Sequence, residues 1–380
     1  MLFSCVHEEK SDKLGQVRGA DPFKLGISVS GPIQPAVLDG HNDVLLKLYR
    51  AGGLAAAETF ITGRDGHIDL PRATEGGFGG GFFAVFIPSA IDLDEKTEQM
   101  QRPSYDLPLP EPIDWEDALP VALTEAAILF RLEELGALTV CRSAADMRAC
   151  LAGGRMAAIL HMEGAEAIDP DLHALDVLYR AGLRSLGPVW SRPTIFGHGV
   201  PFRYPSDGDI GPGLTDHGLR LVKRCNELRI MIDLSHMNMA GFWDVARQSD
   251  APLVATHSNA HAVCAHARNL TDDQLAAIRD SDGMVGLNFA VAFLREDGRM
   301  VDTGLDQMLR HLDHLIDRLG ETRVGLGSDF DGAVVPSEIG SAAGLPALRE
   351  AMRAHGYDEG LMKKLCQENW LRVLEKTWGG

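Results

Sequence analysis

Histidine and carboxylate side chains occur at the ends of five short apolar segments of this sequence, where they could bind a metal ion. The candidates are His41 and Asp43 in DGHND, His161 and Glu163 in LHMEG, Asp233 and His236 in IDLSH, His257 in VATHS, and Asp329 and Asp331 in GSDFDG. Imidazole and carboxylate ligands without thiolate suit Zn²⁺, Mn²⁺, Fe²⁺ or Co²⁺. A cation would also offset the cost of gathering so many polar groups in one place.

The spacing of His41 and Asp43 indicates how one ion would be bound. Only one residue separates them, and side chains at positions i and i+2 of an extended strand point to the same side. Two ions about 3.5–4 Å apart need a bridging carboxylate, for which Glu163 is the candidate in its segment. Each residue alone also has a structural explanation, such as an aspartate capping a helix. The prediction therefore depends on convergence of the five segments.

Eight apolar segments must position these residues. They are AVLDG near residue 36, GFFAVFI at 81, MAAILHM at 156, RSLGPVW at 184, IMIDLSH at 230, PLVATH at 252, GMVGLNF at 283 and RVGLGSD at 323. Continuous apolar character is typical of strands buried on both faces. Helix-like segments separate them at 114–135, 143–152, 171–182, 215–228, 240–248, 272–281 and 303–319. Thr215 and Thr271 are predicted helix caps.

This alternation predicts an α/β fold, a (β/α)8 TIM-type barrel, with a doubly wound open sheet as the alternative. In a barrel the carboxyl ends of the strands surround one mouth, which would bring the candidate residues together. We expect a single catalytic domain over residues 1–380, with an N-terminal extension at 1–30, the barrel at 36–375 and C-terminal helical additions. Residues 51–80 and 88–113 are predicted to form long loops after strands.

Composition limits the partners. The formal net charge of −18 argues against nucleic acid and an anionic membrane surface as partners. The N-terminus lacks a signal-peptide pattern, and no uncharged apolar stretch of about 18 residues is present, so we expect a soluble, cytoplasmic protein. Six cysteines without a CxxC pair indicate buried thiols rather than a zinc knuckle or a disulfide framework.

The sequence also resembles the membrane dipeptidase (renal dipeptidase-type) zinc metallopeptidase family over residues 36–375. The matching blocks are DGHNDVLL, HIDLPRATEGGFGGGFFAVFIP, HMEGAEAI, IDLSH, THSNAHAVCAHARNLTDDQL, GMVGLNF, VGLGSDFDG and ENWLRVLE, in this order. The resemblance implies a hydrolase that cleaves unblocked dipeptides, both L,L and L,D. It also implies a homodimer.

The resemblance implies a role for each matching metal ligand. His41 and Asp43 would bind one zinc ion, and His236 and His257 would bind the other. Glu163 and a hydroxide would bridge the two ions, and the hydroxide would attack the peptide carbonyl.

Two further roles follow from the same resemblance. Asp329 would take the proton from the attacking water and deliver it to the leaving amine. Arg268 would hold the C-terminal carboxylate of the substrate, a task that suits the paired donors of a guanidinium.

The sequence departs from the family pattern at two positions. Trp190 stands where the family has a substrate-contacting histidine, and tryptophan has one donor and no charge. We expect Trp190 to contact the substrate, and His198 is the nearby residue that could take over the histidine's role. Phe293 stands where the family has a tyrosine, which removes a hydroxyl group. Both changes bear on substrate choice more than on metal binding.

Two alternative functions remain open. One is a barrel amidohydrolase acting on another amide, a lactone or an ester. The first strand has an HxD pair instead of HxH, and RSLGPVW contains no lysine. Both features disfavour this alternative. The other is an inactive metal-binding scaffold. Trp190 favours this scaffold, whereas a retained proton carrier at Asp329 argues against it.

Overall fold

The computed structural model of the protein describes residues 35–89 and 93–379, which all belong to one compact unit. The predicted N-terminal extension at 1–30 lies outside the described residues, so a single domain spanning the whole chain stays a prediction. Five of the six cysteines lie in the described part, and all five are buried thiols, as expected. Cys5 lies outside it.

Eight parallel strands form the barrel. They are β1 (Val37–Asn42), β2 (Phe78–Phe86), β3 (Ala157–Glu163), β4 (Leu183–Gly187), β5 (Met231–Ile232), β6 (Val254–Ala255), β7 (Met284–Asn288) and β8 (Val324–Gly327). Their order in the sheet is β5-β4-β3-β2-β1-β8-β7-β6. A parallel bridge between Asp233, just after β5, and Val254 of β6 joins the two ends. The predicted (β/α)8 barrel is confirmed, and all eight predicted strands are present.

Three further short strands occur among the described residues, one paired with the barrel and two in a sheet of their own. Thr139–Val140 pairs with β3, and Tyr105–Asp106 pairs antiparallel with Arg203–Tyr204.

Strands β1 and β8, the first and the last barrel strands in the sequence, pair with each other. We call this junction the seam between β1 and β8. Asp39 of β1 is buried, and its carboxylate accepts hydrogen bonds from the Ser328 backbone N–H at 2.6 Å and from the Ser328 hydroxyl at 2.9 Å. These bonds satisfy a carboxylate that would otherwise be costly to bury. They also place the turn after β8 beside His41.

Helices surround the barrel. Those longer than four residues are Val44–Arg50, Ala57–Thr62, Leu70–Gly76, Leu93–Met100, Trp115–Glu134, Ala144–Ala152, His173–Ala181, Asp216–Leu228, Met239–Gln248, Asp272–Asp280, Leu305–Leu319, Leu345–His355, Glu359–Lys363 and Asn369–Trp378, with a π-helical turn at Lys364–Glu368. Short turns of helix occur at Gly53–Ala56, Val291–Leu294 and Ala342–Gly344.

The predicted helices and caps are confirmed. Each of the seven predicted helical segments contains a helix. The Thr215 side chain accepts a hydrogen bond from the Gly218 N–H, and Thr271 forms a capping box with Gln274. These caps satisfy N–H groups that a helix leaves unpaired at its start.

The prediction of loops at 51–80 and 88–113 was wrong in part, because both contain helices. Ala57–Thr62 has six residues and Leu70–Gly76 has seven, which is about two turns or less. A hydrophobic period cannot repeat over so short a length. Leu93–Met100 in the second region has eight residues and carries mostly polar side chains, so it has little apolar pattern to detect.

The C-terminal helix Asn369–Trp378 places Trp370 inside the barrel. The indole is fully buried, and its N–H donates to the Leu326 carbonyl at 3.0 Å. A Cβ atom at Gly40 or Gly286 would clash with the Thr256 carbonyl oxygen and would lie 2.7 or 2.9 Å from the indole ring, closer than packed atoms approach. Glycine at these two strand positions therefore makes room for the Thr256 carbonyl and for the tryptophan.

Trp370→Ala is expected to lower the free energy of unfolding by about 3–5 kcal/mol, because it leaves a large cavity and an unpaired carbonyl. Urea unfolding followed by circular dichroism measures this change. Val177→Ala, at a side chain that is 65% exposed, serves as the control and should change stability by less than about 0.5 kcal/mol. Equal stability of the two variants would contradict the role given to Trp370.

Candidate metal centre

The carboxyl ends of four strands bring the predicted metal-binding residues together. Glu163 is the last residue of β3, and His257 comes two residues after β6. His236 lies in the turn after β5 and His41 lies in β1. All four are buried, with exposed fractions of 6% or less.

Asp43 does not belong to the strand as the spacing predicted. Strand β1 ends at Asn42, and Asp43 precedes the helix Val44–Arg50 with a backbone ψ of 27°. Its carboxylate makes no capping hydrogen bond and instead lies 3.4 Å from His41 Nε2. The turn after the strand therefore brings the two side chains together, although they do not lie on one face of an extended strand.

Glu163 lies between two pairs of residues. Its Oε2 atom is 3.6 Å from His41 Nε2, on the side of Asp43. Its Oε1 atom is 3.0 Å from His236 Nε2 and 3.4 Å from His257 Nε2. One carboxylate oxygen thus faces each pair, which is the arrangement expected of a bridging ligand.

The donor set fits a divalent cation. Both ring nitrogens of His41 are buried without a hydrogen-bond partner among the described residues, and such orphaned groups are costly. The Nε2 atoms of His236 and His257 lie 3.1 Å apart. Ligand nitrogens of a tetrahedral ion with bonds of about 2.0–2.1 Å are about 3.4 Å apart. The residues are therefore placed at ligand distances from a common centre.

A hydrogen-bond network assigns the tautomer of His257. The Thr256 hydroxyl donates to Asp233 Oδ2 at 2.5 Å, so its oxygen must accept from His257 Nδ1, 2.8 Å away. The proton on Nδ1 leaves Nε2 as a lone pair facing Glu163. Asp233 also accepts from the Ser235 hydroxyl at 2.6 Å. Asp233 thus orients His257, a candidate ligand, through the Thr256 hydroxyl.

Electrostatics keep two of the histidines neutral. Burial lowers the pKa of His236 and His257 well below the usual histidine range, and the positive charge of Arg268 adds to this. Neutral imidazole is the form that binds a metal ion. Burial also opposes the charged form of His41, but the carboxylates of Glu163 and Asp43 raise its pKa to about 10. The carboxylates around His41 therefore favour a positive charge at this position, which a metal cation can also supply.

Asp329 joins the His41 side of this group. His41, Asp43 and Asp329 each offer one atom that could bind a metal ion, and these three atoms lie within 4.8 Å of one another. Asp329 has a left-handed backbone with φ of 59°, and its Oδ2 accepts a hydrogen bond from Asn288 Nδ2 at 3.0 Å. Burial raises the pKa of the Asp329 carboxyl. A carboxyl group with a raised pKa is suited to accepting and returning a proton.

Two of the candidate residues have structural partners instead. Asp331 accepts hydrogen bonds from the Arg64 guanidinium and the His67 backbone N–H, both at 2.8 Å. His161 Nδ1 lies 2.9 Å from the Ser185 hydroxyl, and its ring is buried inside the barrel.

A cavity of about 380 Å³ opens over the group. Asp43, Glu163, His236 and Asp329 line part of it. Four aromatic residues, Phe86, Trp190, Phe202 and Phe293, form an aromatic wall of the same cavity, with Lys96 beside them. A second cavity of about 630 Å³ lies behind Lys96, Trp190 and Phe202 and is bordered by the proline-rich segment 107–113.

Only some of the residues that the sequence placed near the substrate line the first cavity. Trp190 lines the first cavity, with its ring centroid 5.7 Å from that of His236. Phe293 also lines it and stacks on Phe202 at 5.8 Å. His198 is not among the lining residues. The structure therefore brings Trp190, and not His198, to the cavity.

Arg268 lies behind His236 and is 3% exposed. Its guanidinium donates to the Ser235 carbonyl and, at 3.3 Å, to the His257 carbonyl, and one nitrogen is 3.1 Å from His236 Nε2. It is not among the residues that line the cavity.

Sequence reasoning missed Lys96 and Phe202. Both come from segments without a periodic pattern, and neither belongs to a motif that indicates chemistry. The available signal was a lysine in the otherwise acidic stretch LDEKTEQ.

A (β/α)8 barrel with histidine and carboxylate ligands at its strand ends has the architecture of a metal-dependent hydrolase. The profile of the membrane dipeptidase family, peptidase family M19, matches residues 33–378. The chain belongs to this family, which confirms the resemblance seen in the sequence.

Individual proteins agree with this assignment. A metallo peptidase from Rhodobacter sphaeroides, liganded with a phosphinate mimic of the dipeptide L-Ala-D-Ala, is 60% identical, with a TM-score of 0.89 over 91% of this chain and 100% of that one. The dipeptidase AC, also a metallo peptidase, is 59% identical with the same TM-score and the same coverage. An uncharacterized protein in the pqqA 5′ region of Klebsiella pneumoniae is 49% identical over 69% of this chain and 98% of its own length.

Proposed function

We propose that this protein is a binuclear zinc dipeptidase that hydrolyses unblocked dipeptides of L,L and L,D configuration. The observation that carries the proposal is the position of Glu163, whose two carboxylate oxygens face two separate pairs of ligand residues. Family membership supports dipeptide hydrolysis over a barrel amidohydrolase of other specificity or an inactive scaffold.

His41 and Asp43 would hold one zinc ion, His236 and His257 the other, and Glu163 would bridge them. Bound zinc would lower the pKa of a bridging water toward neutrality and polarise the substrate carbonyl. Asp233 and Thr256 orient His257, and the Ser191 hydroxyl, 2.9 Å from Nδ1, orients His236. These partners fix the rings without themselves touching the metal.

Asp329 moves the proton in this proposal. Its carboxylate lies beside His41 and Asp43 and lines the cavity, so it can reach both an attacking water and a leaving nitrogen. It accepts the water's proton and delivers it to the amine, which must leave as a neutral group. The Asn288 hydrogen bond holds the carboxylate in place for both transfers.

The cavity supports a small substrate. Its volume of about 380 Å³ is at the lower end of ligand sites, which span roughly 300–1,000 Å³. The relative from Rhodobacter sphaeroides with its L-Ala-D-Ala mimic supports acceptance of a D-residue at the C-terminal position. Arg268 and Trp190 stay the proposed substrate contacts, and Arg268 would need to turn toward the cavity to reach a carboxylate.

No helix among residues 35–89 and 93–379 combines the length and apolar character needed to cross a bilayer. The cytoplasmic location and the homodimer stay predictions.

Metal analysis with a chelator tests the proposal directly. We expect two zinc equivalents per chain, loss of dipeptide turnover when a chelator removes them, and recovery when zinc is restored. Elemental analysis and a coupled assay on L,L and L,D dipeptides measure these quantities, and a dipeptide with a blocked N-terminus is the control substrate. A protein purified without chelators that contains no metal, or that has turnover insensitive to metal removal, would refute the proposal.

A further inference from the structure

Lys96 is held at the aromatic wall of the first cavity. It comes from the helix Leu93–Met100, and its Nζ atom lies 3.9 Å from the centroid of the Phe202 ring and 5.6 Å from that of Trp190. An ammonium group over an aromatic face is stabilised by the ring quadrupole. The two rings therefore keep a positive charge at this wall, in the cavity that Glu163 and Asp329 also line.

The donors of this ammonium group are unused within the described part of the chain. No carboxylate there forms a salt bridge with Lys96, and no acceptor there forms a hydrogen bond with it. Lys364 shows the contrast, since it donates to Glu321 at 2.7 Å. An ammonium group has three N–H donors, and those of Lys96 are left for water or a ligand, because the half-buried side chain borders both cavities. An anionic ligand in the cavity would satisfy them.

The surroundings keep Lys96 charged at neutral pH. Burial lowers its pKa to about 8, while the negative charge of Asp329 opposes that shift. In a site of low polarity, a fixed charge acts more strongly on a nearby ligand than it does in water.

We propose that Lys96 contacts an anionic oxygen of the bound substrate and supplies the charge that Trp190, at the position of the family histidine, lacks. This inference rests on the proposed dipeptidase function. The oxygen is either the C-terminal carboxylate of the dipeptide or the oxyanion that develops on the scissile carbonyl. Among the lysines and arginines that line the cavity, Lys47, Arg50 and Lys96, only Lys96 also lies over the rings of Trp190 and Phe202.

The test compares Lys96→Met, which removes the charge and keeps the apolar stem, with Lys96→Arg, which keeps the charge. Lys223→Met, at an exposed lysine on the helix Asp216–Leu228, is the matched control. For each full-length, zinc-loaded protein, we would measure kcat and KM for a dipeptide and for its C-terminal amide. Calorimetry would measure the affinity for a phosphinate dipeptide mimic, and thermal melting the stability.

We expect Lys96→Met to lower kcat/KM and phosphinate affinity by about 10- to 100-fold, as for loss of a hydrogen bond between charged groups. Lys96→Arg should retain most of both, and Lys223→Met all of both. If kcat falls with both the dipeptide and its amide, the contact is assigned to the oxyanion. A rise in KM for the dipeptide, but not for the amide, assigns it to the carboxylate.

Three results would overturn the inference. The first is unchanged kinetics and phosphinate affinity in Lys96→Met. The second is an equal loss of kcat/KM and phosphinate affinity in the Met and Arg variants together with a lower Tm. The third is a wild-type protein that does not bind the phosphinate. A wild-type protein that binds the phosphinate through Lys96 but hydrolyses no dipeptide would refute the dipeptidase function and leave the anion contact standing.

Discussion

Asp329→Asn is expected to lower kcat by about 10²- to 10⁴-fold while the zinc content stays the same, because asparagine cannot carry a proton. The substitution suits this position. Asparagine tolerates the left-handed backbone at φ of 59°, and its side-chain oxygen can still accept the hydrogen bond from Asn288. Steady-state kinetics and elemental analysis of the same preparation measure both quantities.

Asp282→Asn is the matched control for this variant. Asp282 also has a left-handed backbone, with φ of 57°, but it precedes β7 and so lies at the opposite end of the barrel from the metal centre. Its replacement should leave kcat unchanged. If Asp329→Asn kept full turnover with its metal bound, the proton-carrying role of Asp329 would be wrong.

Glu163→Gln is expected to reduce the zinc content below two per chain and to lower turnover by about 10³-fold or more, since metal ions supply several kcal/mol of transition-state stabilisation. Glutamine keeps one oxygen, but its amide nitrogen has no lone pair to offer a metal. It can therefore serve one of the two ligand pairs but not both. Elemental analysis and the dipeptide assay report the two effects.

Glu134→Gln provides the comparison, because Glu134 is an exposed residue that pairs with Arg131 on its own helix. That variant should keep two zinc ions and full turnover. A Glu163→Gln protein that still bound two zinc ions would show that the carboxylate does not bridge them.

The barrel was predictable because its strands are buried on both faces. That burial requires continuous apolar segments, and the intervening helices are long enough for caps and amphipathic patterns to appear. The short helices Ala57–Thr62 and Leu70–Gly76 were missed because their stability comes from packing against each other and against neighbouring elements, which leaves no repeating pattern. Asp43 was wrongly placed in the strand for a related reason, since the exact residue at which a strand ends is set by tertiary contacts.

The candidate metal ligands could be predicted because strand ends converge in any barrel of this kind. The aromatic wall of the cavity could not. Lys96 comes from the helix Leu93–Met100 and Phe202 from a loop, and their meeting depends on the path of long βα connections that local sequence does not specify. The contact of Arg268 with the Ser235 and His257 carbonyls likewise depends on the exact path of two turns.

The seam between β1 and β8 has a consequence for synthesis of the chain. His41 and Asp329 stand side by side at the mouth, and Asp39 and Ser328 join the strands beneath them across 289 positions of sequence. We therefore expect a growing polypeptide on the ribosome to lack the complete candidate site until Asp329 has left the exit tunnel. Until then, the Asp39 carboxylate lacks the two hydrogen bonds that Ser328 donates to it in the folded protein. We therefore expect a polypeptide truncated before Asp329 to lack dipeptidase activity.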